Sequence, residues 1–124
     1  MQSTKFIDVS ELSDIFGEMD NQETRETIES LRKDFSLKMT ELSVSIEQND
    51  LDNFRLKSHS LKSNCCYLGA IQLNQHSSKL ERIEAFNTKD FPILWSDFKS
   101  VFASTMSEID RTIKTLQLKD DANG

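Results

Sequence analysis

The chain has 124 residues, 36% of them apolar and 29% charged, with three glycines, one proline and a formal net charge of −6. That length supports one modest core and excludes a kinase or nucleotide-binding domain beside it, and no apolar run approaches the roughly 20 residues of a membrane helix. The acidic balance argues against nucleic-acid binding, and Met1 to Lys5 lack the basic start and apolar run of a signal peptide, so a cytoplasmic location is expected.

Apolar spacing predicts helix nearly everywhere, in one short and four longer segments. Asp8 with Glu11 resembles a capping box opening a short helix that carries Leu12, Ile15, Phe16 and Met19. The next helix starts near Asp20, with Glu23 three residues on, carries Ile28, Leu31, Phe35, Met39, Leu42 and Ile46 at alternating three and four spacing, and ends near Asn49. Asp50 is placed to cap a third helix with the stripe Leu51, Phe54, Ser58, Leu61, Cys65 and Leu68, stopped by Gly69 in a left-handed conformation. A fourth helix from about Ala70 carries Leu73, Ser77, Leu80 and Ile83. Asp90 and Pro92 open the last, with Phe91, Leu94, Phe98, Val101, Ile109, Ile113 and Leu116.

Short connections force neighbouring helices to run antiparallel, so the expected fold is all-α: an up-and-down four-helix bundle with the first short helix as a lid. Residues 1–118 form a single domain in this reading and 119–124 a disordered tail. The starting methionine and acidic tail favour a free-standing protein. Cys65 and Cys66 point about 100° apart on a helix, a poor geometry for a bond to each other, and are read as reduced, partly buried thiols.

The charge is uneven. From Asp50 to Arg82, Arg55, Lys57, Lys62, Lys79 and Arg82 outnumber Asp50, Asp52 and Glu81, giving +2 in a chain whose remainder carries −8. Within this basic island His59 lies roughly 130° from the centre of its helix's apolar stripe, so it faces water. Lys62 and Ser63, at i+3 and i+4, are its surface neighbours, and Arg55 and Cys66 flank it. The midpoint of positions 59 and 81 is 70, next to the Gly69 turn, which puts Glu81 level with His59. Its carboxylate either accepts the Nδ1 proton and leaves Nε2 as a nucleophile, or pairs with a surface cation such as Lys62 or Arg82. An exposed imidazole, mostly neutral at pH 7, attacks phosphorus without a separate base, and Lys62 compensates charge on the phosphoryl oxygens. No carboxylate cluster suits Mg²⁺, so the chain is read as having no cofactor of its own, with Mg²⁺ brought by the partner.

The run Phe54-Arg55-Leu56-Lys57-Ser58-His59-Ser60-Leu61-Lys62-Ser63, followed by Leu68-Gly69-Ala70, Leu73 and Leu80-Glu81, resembles the histidine-containing phosphotransfer (HPt) domains of multistep two-component phosphorelays. The resemblance implies a four-helix bundle whose His59 exchanges a phosphoryl group with an aspartate of a response-regulator receiver domain, Lys62 supporting the phosphohistidine. It also implies an upstream hybrid sensor kinase as partner. Ser58, Ser63 and Ser77 stand where the family usually has alanine, glycine and cysteine; all are small.

A dimerising kinase domain would carry an acid after the histidine, where Ser60 stands, and a Gly-rich ATP lid, which is lacking, so ATP-dependent kinase activity is not expected. A metal site from His59, His76 and the thiols would need side chains from divergent faces. His76 flanks the Leu73–Leu80 stripe and is read as structural or solvent-exposed. The expected protein is thus a monomeric phosphocarrier docking through Arg55, Cys66, Ile15, Phe16 and Met19. The alternative is a helical adaptor that binds signalling partners without phosphotransfer.

Overall fold

The computed structural model describes residues 5–123, which contain helices and no strand: α1 (Ser10–Phe16), α2 (Asn21–Glu47), α3 (Leu51–Cys65), α4 (Ile71–Glu81) and α5 (Phe91–Asn123), with a 3₁₀ turn over Cys66–Leu68. Two of the expected caps form. Asp20 accepts from the Glu23 amide at 2.8 Å and Asp50 from the Asn53 amide at 3.1 Å, each satisfying a donor that the first helical turn leaves free. The expected Asp8–Glu11 box does not. The Asp8 carboxylate turns to the amide and hydroxyl of Ser10, at 3.1 and 2.7 Å, and the Glu11 amide bonds the Asp8 carbonyl instead. At α5 the first amide, of Phe91, bonds the Thr88 hydroxyl at 3.2 Å, and Pro92 follows in the first turn, where a missing N–H costs nothing.

Gly69 ends the 3₁₀ turn at φ 58° and ψ 34°, the left-handed conformation its sequence position predicts. It also lies under the N-terminal segment: a Cβ there would sit 2.9 Å from the Asp8 Cβ. The Asp8 amide donates to the Leu68 carbonyl at 2.6 Å, which fastens the segment leading into α1 beside this turn.

Each of the four longer helices packs against two others, α3 against α2 and α4, and α5 against α2 and α4. Cross-links give the directions. Lys57 and Asn53 of α3 reach Glu41 and Ser45 of α2; Lys62 and His59 of α3 meet Asn74 and Glu81 of α4; Arg25 and Arg32 of α2 meet Asp120 and Asp110 of α5. In all three pairs the residue numbers run oppositely, those of one helix rising as those of its neighbour fall. Leu42, Phe54, Leu61, Leu73, Leu80 and Phe98 are fully buried between them, drawn from the stripes that the spacing marks. Phe54 meets Phe86, Phe91 and Trp95 edge-on at centroid distances of 5.2–5.9 Å.

Three expectations are corrected. α5 continues through Asn123 over residues expected to be a disordered tail, and the Arg25 guanidinium lies 3.7 Å from the Asp120 carboxylate there. Residues 1–4 and 124, the ends of the expected domain and tail, lie outside the described residues. The adjacent cysteines are not alike: Cys65 is buried, its thiol pushed up to about 12 by desolvation, whereas Cys66 is exposed; neither forms a disulfide. Met19 falls beyond α1, in the segment after Gly17, and packs partly buried against the core. Among the described residues no helix is long and apolar enough to cross a membrane.

Candidate functional site

The outer face of α3 carries Arg55, His59 and Ser63 one turn apart, because residues four apart on a helix lie above one another. The His59 side chain is 57% exposed. The Gly69 turn folds α4 back along α3 and brings the last residue of α4, Glu81, to the same level.

One carboxylate there serves two partners. Glu81 Oε1 lies 2.6 Å from His59 Nδ1, and Lys62 Nζ donates to Oε2 at 2.8 Å. The two contacts foreseen as alternatives for Glu81 therefore coexist, one on each oxygen. The Lys62 hydrogen bond holds the Glu81 carboxyl below the usual carboxylate range; desolvation opposes this, and His59 adds to the lowering. A carboxylate only accepts, so an imidazole that is neutral while it bonds Glu81 has its proton on Nδ1 and its lone pair on Nε2.

The neighbours are tied to backbone. Arg55 Nε donates to the Glu81 carbonyl at 3.1 Å, so this cation, expected to face a partner, is engaged inside the chain. The Ser63 hydroxyl donates to the His59 carbonyl at 3.3 Å instead of turning to the ring. Asn74 Nδ2 donates to the Lys62 carbonyl at 2.9 Å, bracing the turn of α3 that carries the lysine. Cys66 is exposed two turns beyond His59.

Ile15 and Phe16 are 47% and 55% exposed, and Phe16 stacks on Tyr67 at 5.8 Å. Tyr67 is eight residues beyond His59, about 12 Å along a helical axis, so these rings border the histidine at a distance and do not touch it. Met19, the third apolar residue expected here, is partly covered by the core. Two further exposed apolar side chains lie off the helical stripes: Tyr67, and Leu56, which is 59% exposed three residues before His59. Leu56 was detectable as an apolar residue out of phase with its helix's buried stripe.

The spacing of histidine and lysine does not by itself select His59, since His76 and Lys79 repeat it. The surroundings of the two histidines differ. His76 is half-buried, its pKa lowered first by desolvation and then by Lys79, and it makes no hydrogen bond or ion pair among the described residues. Only His59 combines exposure with a carboxylate on Nδ1 and a lysine on the same carboxylate.

A family model described as Hpt domain matches residues 11–118, a span that includes every side chain of this cluster. No curated protein and no solved structure gives a significant match.

Proposed function

The chain belongs to the Hpt domain family, whose members carry phosphoryl groups on histidine in phosphorelays and meet receiver domains there, and from that premise we propose that His59 is the phosphoryl acceptor. The observation that carries this reading is the shared Glu81 carboxylate between His59 Nδ1 and Lys62 Nζ. In the transfer, the Nε2 lone pair forms a bond to phosphorus as the bond between phosphorus and the receiver's aspartyl oxygen breaks. The electron pair of that bond leaves on the aspartate. Nδ1 keeps its proton throughout, and Glu81 balances the positive charge that the ring gains. Lys62, on the neighbouring turn, compensates the phosphoryl oxygens. Running the same steps backwards delivers the group to a second receiver.

The fold that presents this site is read as an antiparallel up-and-down four-helix bundle with α1 as a lid. The protein acts as a monomeric cytoplasmic phosphocarrier without ATP-dependent kinase activity, between an upstream hybrid sensor kinase and a downstream response regulator. The receiver supplies Mg²⁺. Leu56, Cys66, Ile15, Phe16 and Tyr67 offer exposed surface around and beyond the histidine for transient docking.

The test is transfer from a phosphorylated receiver with Mg²⁺ to the parent and to His59→Gln. Acid-labile label on the parent alone supports the proposal. Binding to receivers with no label on either protein would instead point to a helical adaptor.

A further inference from the structure

Glu81 occupies an exposed-end position that ordinarily gives poor control over a side chain. It is the last residue of α4, and the final carbonyls of a helix lack intrahelical donors, so this turn is where fraying begins. The Arg82 and Ile83 amides close the end with short-range bonds to the Lys79 and Leu80 carbonyls, at 3.2 and 3.3 Å. The Glu81 carbonyl takes its donor from another helix, the Arg55 Nε at 3.1 Å.

We propose that Arg55 is a positioning residue that holds the end of α4 so that the Glu81 carboxylate stays on His59 Nδ1, and that this, rather than contact with a docking partner, is its role. Arg55 and His59 are four residues apart and share one face of α3, so the two side chains grip one residue at two places. Arg55 takes its backbone, and His59 takes Oε1 of its side chain. Lys62 takes Oε2. With the carbonyl pinned, the carboxylate has only its own side-chain torsions left to lose on meeting the ring. Without the pin, the backbone of the last turn moves as well, and more freedom must be lost for the same contact. The guanidinium suits this task because its Nε–H lies in a rigid plane and is always protonated.

The inference rests on His59 being the acceptor and Glu81 its orienting group, and the experiment separates the two levels. Nitrogen-15 spectra of the His59 ring in the free protein read which nitrogen carries the proton, with no partner present. The variants are Arg55→Met, which keeps the apolar stem, and Arg55→Gln, a second substitution should the first fail to fold. Expected are a larger share of the ring protonated on Nε2 in both and a fall of about three- to tenfold in the single-turnover transfer rate, with the receiver's half-saturating concentration unchanged. A ring signature identical to the parent's overturns the proposal, and identity combined with weaker receiver saturation makes Arg55 a docking cation. Glu81→Ala is the control. If it shifts the ring while the Arg55 variants do not, only the role of Arg55 is lost. If it leaves the ring unchanged, the orienting reading of Glu81 falls first.

Discussion

Replacing Glu81 by alanine removes the only carboxylate that meets the His59 ring among the described residues, and tests how much of the transfer rate that contact supplies. The contact is 2.6 Å long, between side chains that are 57% and 26% exposed. A hydrogen bond to a charged group contributes about 1.5–3 kcal/mol when sheltered, and an exposed ion pair about 0.2–1 kcal/mol. Intermediate exposure puts this one at about 1–1.4 kcal/mol, which is about five- to tenfold in rate. The assay is single-turnover transfer from a saturating phosphorylated receiver. The expected result is that reduction with the half-saturating receiver concentration unchanged, because Glu81 acts on the ring and not on the partner. Glu81→Gln should fall between the two, since it keeps an accepting oxygen but loses the charge. A Glu81→Ala rate within about twofold of the parent would refute the argument that the carboxylate fixes the reactive tautomer.

The same residue predicts a pH dependence. Because Lys62 first and His59 after it hold the Glu81 carboxyl below its ordinary 4.5, its contribution to stability is complete above that pH and is lost as the pH falls through the lowered folded value. The gap in melting temperature between parent and Glu81→Gln should therefore stay constant from neutrality to about pH 5 and shrink on further acidification; a gap that widens would reverse the sign. Gly69→Ala should cost about 1–3 kcal/mol in urea unfolding from left-handed strain alone. Its new Cβ, 2.9 Å from Asp8 Cβ and 3.1 Å from the Asp8 carbonyl oxygen, should also speed hydrogen exchange at the Asp8 amide, and unchanged exchange would show that the N-terminal segment does not depend on this turn. Leu61→Ala empties a fully buried position one turn from Ser58 and Cys65 and should cost about 2–5 kcal/mol by the same unfolding measurement, less than 1 kcal/mol meaning that the core closes over the space.

The helices were legible because their signals are local. Stripes at three and four spacing, Asp20 and Asp50 before them and Gly69 after α3 act within a few residues of themselves, and the forces that form a turn or a cap have the same reach. Where a local signal had a competitor it misled. Asp8 found Ser10 closer than Glu11, and the polar residues after Leu118 continued the helix.

For the site, the sequence by itself determined that His59 faces outward with a lysine three residues on, and that Glu81 stands level with it across the hairpin. Only the tertiary structure decided that the carboxylate turns toward the ring and divides its oxygens between His59 and Lys62, that Arg55 spends its Nε–H on the Glu81 carbonyl, and that His76, with the same lysine spacing, is half-buried. Level along a hairpin follows from counting residues on one chain. Facing depends on how far each helix is rotated about its own axis, and that rotation is set by side chains from all the helices packing into one core.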